Sequence, residues 1–206
     1  MNEERPSVGR VLIVAGSDSG GGAGIQADVK TVTALGGYAA TAITALTAQN
    51  TRGVFGVVPV DPGFVAQQME VVLTDLGADC VKTGMLGSAA VIERVVRTLE
   101  RHARGVPVIV DPVMVAKGGA SLLAPEAKSA LMLRLVPCAA LLTPNVPEAE
   151  ALTGLSIGSP EQMGPAADAL LALGASAVLV KGGHLPGDTV VDLLRTVDGV
   201  ERRFES

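Results

Sequence analysis

The sequence feature that most constrains the fold is a short apolar run that leads into a glycine-rich segment and then into a helical pattern. Residues 11–14 (Val-Leu-Ile-Val) are too few and too β-branched for a helix, so they predict a buried strand. Residues 16–24 include five glycines, and from residue 26 to 35 apolar side chains recur at helical spacing. Because glycines let the backbone approach a ligand and N–H groups at a helix start point outward, we predict a ligand site at this turn.

Two known glycine-rich motifs and a loop without a ligand are the alternatives for this turn. A Walker A loop is excluded because no lysine follows the glycines. Residues 22–27 match the dinucleotide pattern G-x-G-x-x-A, but that motif also needs an acidic residue about 20 positions further on. Since no Asp or Glu occurs between Val29 and Val60, hydride transfer is the weaker alternative. The third alternative, a loop that binds no ligand, is not excluded, although packing alone rarely requires so many glycines.

Strand-like and helix-like patterns alternate along the rest of the chain. Most of the strand-like runs are unbroken apolar segments, such as residues 107–110, which is typical of a parallel sheet covered on both faces. We also predict a strand at 38–46 followed by a turn at 47–53, and a C-terminal hairpin of residues 190–196 and 199–204. The expected fold is an α/β three-layer sandwich with a mostly parallel central sheet and helices on both faces.

The residues that follow the predicted strands are the candidate site residues, because ligands of parallel sheets bind beyond the carboxyl ends of the strands. We expect these residues to share one edge of the sheet. They are Gly16, Gln49, Thr83 to Met85, Asp111, Asn145 with Glu148, and Lys181 with Gly182 and Gly183.

Composition and charge narrow the class of protein. With 206 residues, 48% of them hydrophobic, the chain can bury the core of one domain, which we place at residues 10–206 after a polar tail at 1–9. A net charge of −5 disfavours nucleic acid as a partner, because phosphate binding needs a basic surface. No apolar run approaches the ~18 residues of a membrane span and the tail has no secretory h-region, so we expect a cytoplasmic protein without a membrane partner.

The residues after the later strands are suited to phosphate chemistry. Lys181 supplies a positive charge, and the two glycines after it allow backbone N–H groups to approach a phosphate. Asn145 and Glu148 lie one turn apart and carry oxygens suited to Mg²⁺, which is usually held through water. Asp111 adds a second carboxylate on an adjacent strand. For each of these residues the alternative is a structural role as a helix cap or in a surface ion pair.

Six segments occur in an order that is typical of one enzyme family. They are residues 15–28 (AGSDSGGGAGIQAD), 44–51 (TALTAQNT), 82–86 (KTGML), 111–114 (DPVM), 143–145 (TPN) with Glu148, and 181–184 (KGGH). In this order the chain resembles the hydroxymethylpyrimidine/phosphomethylpyrimidine kinases of thiamine biosynthesis, which belong to the ribokinase-like superfamily. Each segment alone is moderately specific, whereas six in sequence between residue 10 and about residue 204 are strongly so.

The resemblance implies a ribokinase-like fold and two successive ATP-dependent phosphorylations. The first acts on the hydroxymethyl group of 4-amino-5-hydroxymethyl-2-methylpyrimidine, and the second acts on the resulting monophosphate. The resemblance also implies which residues line the pyrimidine pocket. They are Gly16, Asp28, Gln49, Met85 and Val113.

The same resemblance implies how the nucleotide is bound. Lys181 and Asp111 would have catalytic roles, with Lys181 neutralising charge on the transferring phosphoryl group. Asp111 and Glu148 would hold Mg²⁺ through water. Lys117 lies in the segment that resembles the family's active-site flap, His184 would lie near the nucleotide, and a homodimer is expected. The residues expected to bind ATP are Asn145, Glu148, Lys181 and Gly183.

One departure from the family pattern concerns the C-terminal end. Relatives continue into a Gly-Thr-Gly-Cys or Gly-x-Gly-Asp segment, whose helix start binds the γ-phosphate and whose Cys or Asp acts as the base. The sequence ends at Ser206 and contains neither motif, so we expect a C-terminally incomplete domain. Phosphoryl transfer depends on positioning and charge neutralisation, so loss of this segment is expected to slow it by several orders of magnitude.

Two other functions remain as alternatives. A pyridoxal-type vitamin kinase would share Asn145, Glu148 and Lys181 but would differ around Gln49 and Met85. A non-catalytic protein could keep the pyrimidine pocket without transferring phosphate, and the missing C-terminal segment is the feature that favours it.

Overall fold

An eight-stranded sheet organises the fold, and a two-stranded hairpin forms a second, smaller sheet. The computed structural model describes residues 8–114 and 125–206. The strands are, in chain order, β1 (Arg10–Ala15), β2 (Tyr38–Ile43), β3 (Ala45–Asn50), β4 (Gly53–Pro59), β5 (Cys80–Thr83), β6 (Val108–Val110), β7 (Leu141–Leu142), β8 (Ala177–Val180), β9 (Val191–Thr196) and β10 (Glu201–Glu205). The helices are α1 (Gly24–Ala34), α2 (Pro62–Asp75), α3 (Ala89–His102), α4 (Pro125–Ala130), α5 (Val146–Thr153) and α6 (Met163–Ala172). A π-helical turn (Leu131–Leu135) and a 3₁₀ turn (Val136–Cys138) continue α4, and a second 3₁₀ turn (Pro160–Gln162) precedes α6.

The large sheet has the strand order β10-β9-β8-β7-β6-β5-β1-β2. Strands β2, β1, β5, β6, β7 and β8 pair in parallel, whereas β9 and β10 are antiparallel to their neighbours. The predicted mostly parallel α/β sheet is therefore confirmed, and the C-terminal hairpin forms as predicted. Within residues 8–114 and 125–206, no helix is both long and apolar enough to cross a bilayer.

Helices lie on both faces of the sheet, but they cover the two faces unequally. On one face, α1 contributes Ile25, which packs on Ile13 and Ala15 of β1. The opposite face carries the main core, in which side chains of α2, α3, α5 and α6 pack on Leu12 and Val14 and on the buried positions of the later strands. The carboxyl ends of β1, β5 and β6 thus lie between a thin layer and a thick one.

The segment around residue 44 differs from the predicted single strand at 38–46 and turn at 47–53. β2 ends at Ile43, and Ala45–Asn50 is a new strand that pairs antiparallel with β4. Thr44 lies at the break, where its N–H binds the carbonyl of Ala15 and its hydroxyl binds the carbonyl of Met85. The turn predicted at 47–53 is confined to residues 51–52, because these bonds to neighbouring strand ends redirect the chain and start a new strand at Ala45; no local sequence pattern reports them.

Two helix starts near the site follow sequence rules. The Ser88 hydroxyl accepts the N–H of Val91 at the start of α3, as its position before the helical pattern predicts. Asn145 and Glu148 form a reciprocal capping box at the start of α5, in which each side chain accepts the other residue's backbone N–H at 2.9 Å. This box fixes both side chains beside the end of β7.

Candidate active site

A cavity of about 470 Å³ lies beyond the carboxyl ends of β1, β5 and β6, and the hairpin β3–β4 contributes part of its wall. Its lining includes all five residues predicted to bind the pyrimidine, and it also includes Asp111. Those five are Gly16, Asp28, Gln49, Met85 and Val113. Gln49 reaches the cavity from the hairpin and not from a strand end of the large sheet, so the predicted placement of this residue was wrong.

The glycine-rich turn is shaped by Asp18, which sequence reasoning did not single out. The side chain of Asp18 is only 5% exposed, and its carboxylate accepts the N–H groups of Gly20, Gly22 and Ala23 at 2.8 to 2.9 Å. Burial alone would raise the pKa of Asp18, but these hydrogen bonds outweigh it and lower the pKa below its usual value. The available signal was an aspartate two residues before a glycine run, which is the geometry of an Asx turn.

Gly16 brings the first strand into contact with the methionine of the pocket. A Cβ atom at position 16 would overlap Cε of Met85, so with glycine here the methionine side chain can lie against the turn without shifting. The hairpin is fixed to the same turn, because the Ser17 N–H binds the carbonyl of Ala45 at 2.9 Å and the Thr47 hydroxyl binds the carbonyl of Ser17 at 2.8 Å. The turn, the hairpin and Met85 therefore form one wall.

An ion pair in the cavity wall joins α1 to β5. Nζ of Lys82 lies 2.7 Å from Oδ2 of Asp28, and each side chain is 23% exposed. Both residues line the cavity. Sequence reasoning assigned a role to Asp28 but none to Lys82, whose only signal is a lysine inside an otherwise apolar strand.

A second group of charges, the Lys181 cluster, consists of Asp111, Asn145, Glu148 and Lys181. Nζ of Lys181 lies 3.2 Å from Oδ1 of Asp111, and Asn145 forms a parallel bridge with Lys181. Burial raises the pKa of Glu148, and the nearby Asp111 carboxylate raises it further, against the opposing effect of the Asn145 N–H and the Lys181 ammonium. Asn145 and Glu148 thus do cap a helix, as the structural alternative proposed, but the cap also holds both side chains beside the ion pair of Asp111 and Lys181.

Most of the residues predicted to bind the nucleotide lie outside the lining of the cavity. Of the Lys181 cluster, only Asp111 lines the cavity. The N–H of Gly182 donates to Oδ1 of Asp192 at 2.8 Å, whereas Gly183 and His184 are exposed at the surface after it. Lys117 lies outside the described residues.

The donor set of the Lys181 cluster fits a magnesium ion held together with a nucleotide. Within the described part of the chain, no three His, Cys, Asp or Glu side chains group as a direct metal site. Two neighbouring carboxylates, Asp111 and the 6% exposed Glu148, repel each other. Mg²⁺ is commonly bound through one or two carboxylates, water and substrate phosphates, so a cation at this position would relieve that repulsion.

At the carboxyl edge of a mostly parallel sheet, a small-molecule cavity thus lies beside a lysine and two carboxylates, an arrangement suited to an α/β protein that brings a small ligand and a phosphate group together. The chain belongs to the phosphomethylpyrimidine kinase family, whose sequence profile matches residues 18–206. Membership places it among the hydroxymethylpyrimidine/phosphomethylpyrimidine kinases of thiamine biosynthesis, which are phosphotransferases.

Two curated relatives illustrate the family. The chain is 58% identical over 186 residues to the thiamine biosynthesis bifunctional protein ThiED of Geobacter sulfurreducens, covering 90% of this chain and 38% of that protein. It is 51% identical to the hydroxymethylpyrimidine/phosphomethylpyrimidine kinase of Bacillus subtilis, covering 91% of this chain and 69% of that one. The chain therefore spans well under half of the first relative and just over two thirds of the second.

Solved structures give the same class. The phosphomethylpyrimidine kinase of Clostridium difficile superposes with a TM-score of 0.88 at 42% identity, covering 97% of this chain and 85% of that chain. The pyridoxal kinase of Staphylococcus aureus in complex with AMP-PCP and pyridoxal superposes with a TM-score of 0.86 at 34% identity, covering 97% and 72%. The predicted ribokinase-like fold is confirmed.

Proposed function

We propose that the protein containing this chain phosphorylates 4-amino-5-hydroxymethyl-2-methylpyrimidine with ATP and then phosphorylates the monophosphate to the diphosphate. The observation that carries the proposal is the cavity, which gathers all five residues expected to contact the pyrimidine. These residues come from α1, the hairpin, and the segments after β1, β5 and β6, so their convergence is a property of the fold.

The proposed pyrimidine contacts follow from side-chain chemistry. The Gln49 amide offers both a donor and an acceptor to the edge of an aminopyrimidine, and the Asp28 carboxylate accepts from its exocyclic amino group. Met85 covers one face of the ring with a polarisable thioether, and Val113 adds apolar contact. Gly16 leaves room for the side chain of Met85.

The Lys181 cluster supplies the proposed nucleotide site. Lys181 would neutralise charge on the transferring phosphoryl group, and Asp111 would orient that lysine through their ion pair. Asn145, Glu148 and Gly183 would contact ATP and its metal ion. When bound at Asp111 and Glu148 through water, Mg²⁺ would screen the phosphate charges. The support for a nucleotide is the related pyridoxal kinase, which binds AMP-PCP.

The test measures binding first and turnover second. Titration calorimetry with the pyrimidine alcohol should show one site, and Gln49→Ala should weaken it by about 10- to 100-fold because a paired amide is lost. Arg101→Met, an exposed charge change on α3, serves as the control. Tighter binding of pyridoxal than of the pyrimidine would instead support the vitamin-kinase alternative.

Turnover separates an enzyme from a binding protein. ADP formation is followed with the pyrimidine alcohol and Mg-ATP, for the 206-residue chain and for the complete gene product. ADP formation that depends on the pyrimidine alcohol would support the kinase. Pyrimidine binding without ADP formation by the complete product would support the non-catalytic alternative.

We also propose a cytoplasmic location, where ATP is available, and a homodimer. Support for the dimer is the outer face of the hairpin, where Leu46, Phe55 and Val58 are more than half exposed. Light scattering should give twice the chain mass, and Val58→Glu should shift it to the mass of a monomer. A wild-type mass of one chain at micromolar concentration would contradict the dimer.

A further inference from the structure

Lys82 is a cation in the interior of the parallel sheet, and no role proposed above accounts for it. Strand β5 lies between β1 and β6, and Lys82 pairs in register with Ile13 on one side and Ile109 on the other. Burying an ammonium group among aliphatic neighbours is costly unless the charge has a partner. A lysine at this position therefore needs a compensating contact.

Asp28 supplies that contact from the helix packed on the same face. The ammonium binds Oδ2 of Asp28 at 2.7 Å, although the two residues are 54 positions apart in the chain. With 23% of each side chain exposed, the pair is shielded but still reaches the cavity. The ion pair is thus part of the cavity wall and not a surface contact.

Gly84 lies beside the ammonium of Lys82. A Cβ at position 84 would lie 3.5 Å from Nζ of Lys82 and 3.0 Å from Cβ of Ala15. The first distance is an ordinary contact and the second is a tight one, so Ala15 and not the ammonium limits the side chain at position 84. Gly84 thus lets the end of β5 lie close to β1 beside the ion pair.

We propose that Lys82 is a positioning residue for pyrimidine binding, an inference that rests on the function proposed above. Lys82 holds Oδ2 of Asp28, which leaves Oδ1 to accept a hydrogen bond from the exocyclic amino group of the ring. The ion pair also presents a balanced charge to a neutral ligand, since the ammonium offsets the carboxylate. A ring with an oxo group at the amino position would place an acceptor against an acceptor, so the pair favours 4-aminopyrimidines.

A double-mutant cycle tests whether Lys82 acts through Asp28. Calorimetric Kd values for the pyrimidine alcohol are compared among wild type, Lys82→Met, Asp28→Asn and the double variant. Lys82→Met should weaken binding by about 30-fold, because it leaves a shielded carboxylate unpaired. In the Asp28→Asn background the same change should cost less than about twofold, because position 28 then carries no carboxylate to be left unpaired. Additive losses would overturn the positioning role and indicate a direct contact.

Two further measurements keep the test decisive. The preference for the amino over the oxo ring should fall in Lys82→Met, and kcat of the complete gene product should change much less than KM. Lys82→Gln, which keeps a donor for Asp28, should retain part of the affinity and serves if Lys82→Met does not fold. Arg101→Met is the charge control and should bind as wild type does.

The outcomes separate this inference from the function on which it rests. Failure of the wild-type protein to bind the pyrimidine would contradict both. Wild-type binding that survives Lys82→Met and Lys82→Gln unchanged would contradict only the role of Lys82.

Discussion

Among the residues that the structure describes, two aspartate–lysine pairs lie at the same edge of the sheet, and they differ in distance and in exposure. In the Asp28–Lys82 pair the charged atoms are 2.7 Å apart and both side chains are 23% exposed. In the Asp111–Lys181 pair they are 3.2 Å apart, with Lys181 39% and Asp111 24% exposed. The second pair also adjoins the buried Glu148, whereas the first bridges a helix and a central strand.

The difference indicates what each pair can do for a ligand. A tight pair that is shielded on both sides keeps its partners together, so it suits the recognition of a neutral ring. In a longer pair with a more exposed lysine, the ammonium can turn toward an incoming phosphate. Opening such an ion pair costs less interaction free energy than opening a shielded one. The additional Glu148 carboxylate beside the second pair is a negative charge that a metal ion bound together with the nucleotide would neutralise.

The largest expected effect comes from breaking the second pair. Lys181→Met in the complete gene product should lower kcat by about 10³-fold, because it removes a charge that stabilises the transferring phosphoryl group. The Kd of the pyrimidine alcohol should change less than about threefold, since the lysine does not line the cavity. Steady-state kinetics and calorimetry on one preparation check both values. A pyrimidine Kd that worsens as much as kcat would contradict the division of roles.

The next effect concerns the turn that supports the first pair. Asp18→Ala should lower the free energy of unfolding by about 3 kcal/mol, because it leaves the N–H groups of Gly20, Gly22 and Ala23 without their acceptor. Chemical denaturation measures this, and Asp18→Asn is the matched variant without a charge. Pyrimidine affinity should fall in both variants.

Acid titration sharpens the test of Asp18. Its pKa is lowered in the folded state, so its stabilisation is present above the usual value of 3.8 and is lost as the pH falls through the folded pKa. The stability difference between wild type and Asp18→Asn should therefore shrink below that pH. A difference that stays constant across this range would show that the carboxylate is not held as the structure indicates.

A smaller effect is expected at Glu148, where the pKa is raised. The folded state binds the proton more tightly, so wild-type stability should fall as the pH rises from 4.5 through the folded pKa. Glu148→Gln removes this slope. It should also weaken Mg-ATP binding by about tenfold, and wild-type affinity for Mg-ATP should rise with pH over the same range. Equal slopes for the two proteins in a denaturation series would rule out this account of Glu148.

The two pairs also show what a sequence can and cannot predict. Unbroken apolar runs predicted the parallel sheet, and the proximity of Asp111 and Lys181 was predictable because residues at the carboxyl ends of parallel strands share one edge. Lys82 was missed because its partner lies 54 residues away on a helix, and only the tertiary structure brings them together. Gln49 reached the predicted cavity by an unpredicted route, since the break at Thr44 depends on bonds to Ala15 and Met85.

The smallest effect is expected at a third ion pair outside the cavity, Arg10–Asp79, which calibrates the other two. Its charged atoms are 2.8 Å apart, within 0.1 Å of the distance between Asp28 and Lys82, but the side chains are 45% and 52% exposed. Arg10 lowers the pKa of Asp79 to about 2, so the stabilisation should persist above pH 3.8 and fade as the pH falls toward 2. Water and salt screen such a pair, so Arg10→Gln should shift the melting temperature only slightly, and less at 1 M salt than at low salt. If Arg10→Gln lowers the melting temperature as much as Lys82→Met does, distance and not shielding sets the strength of these pairs. The contrast between the two cavity pairs would then lose its physical basis.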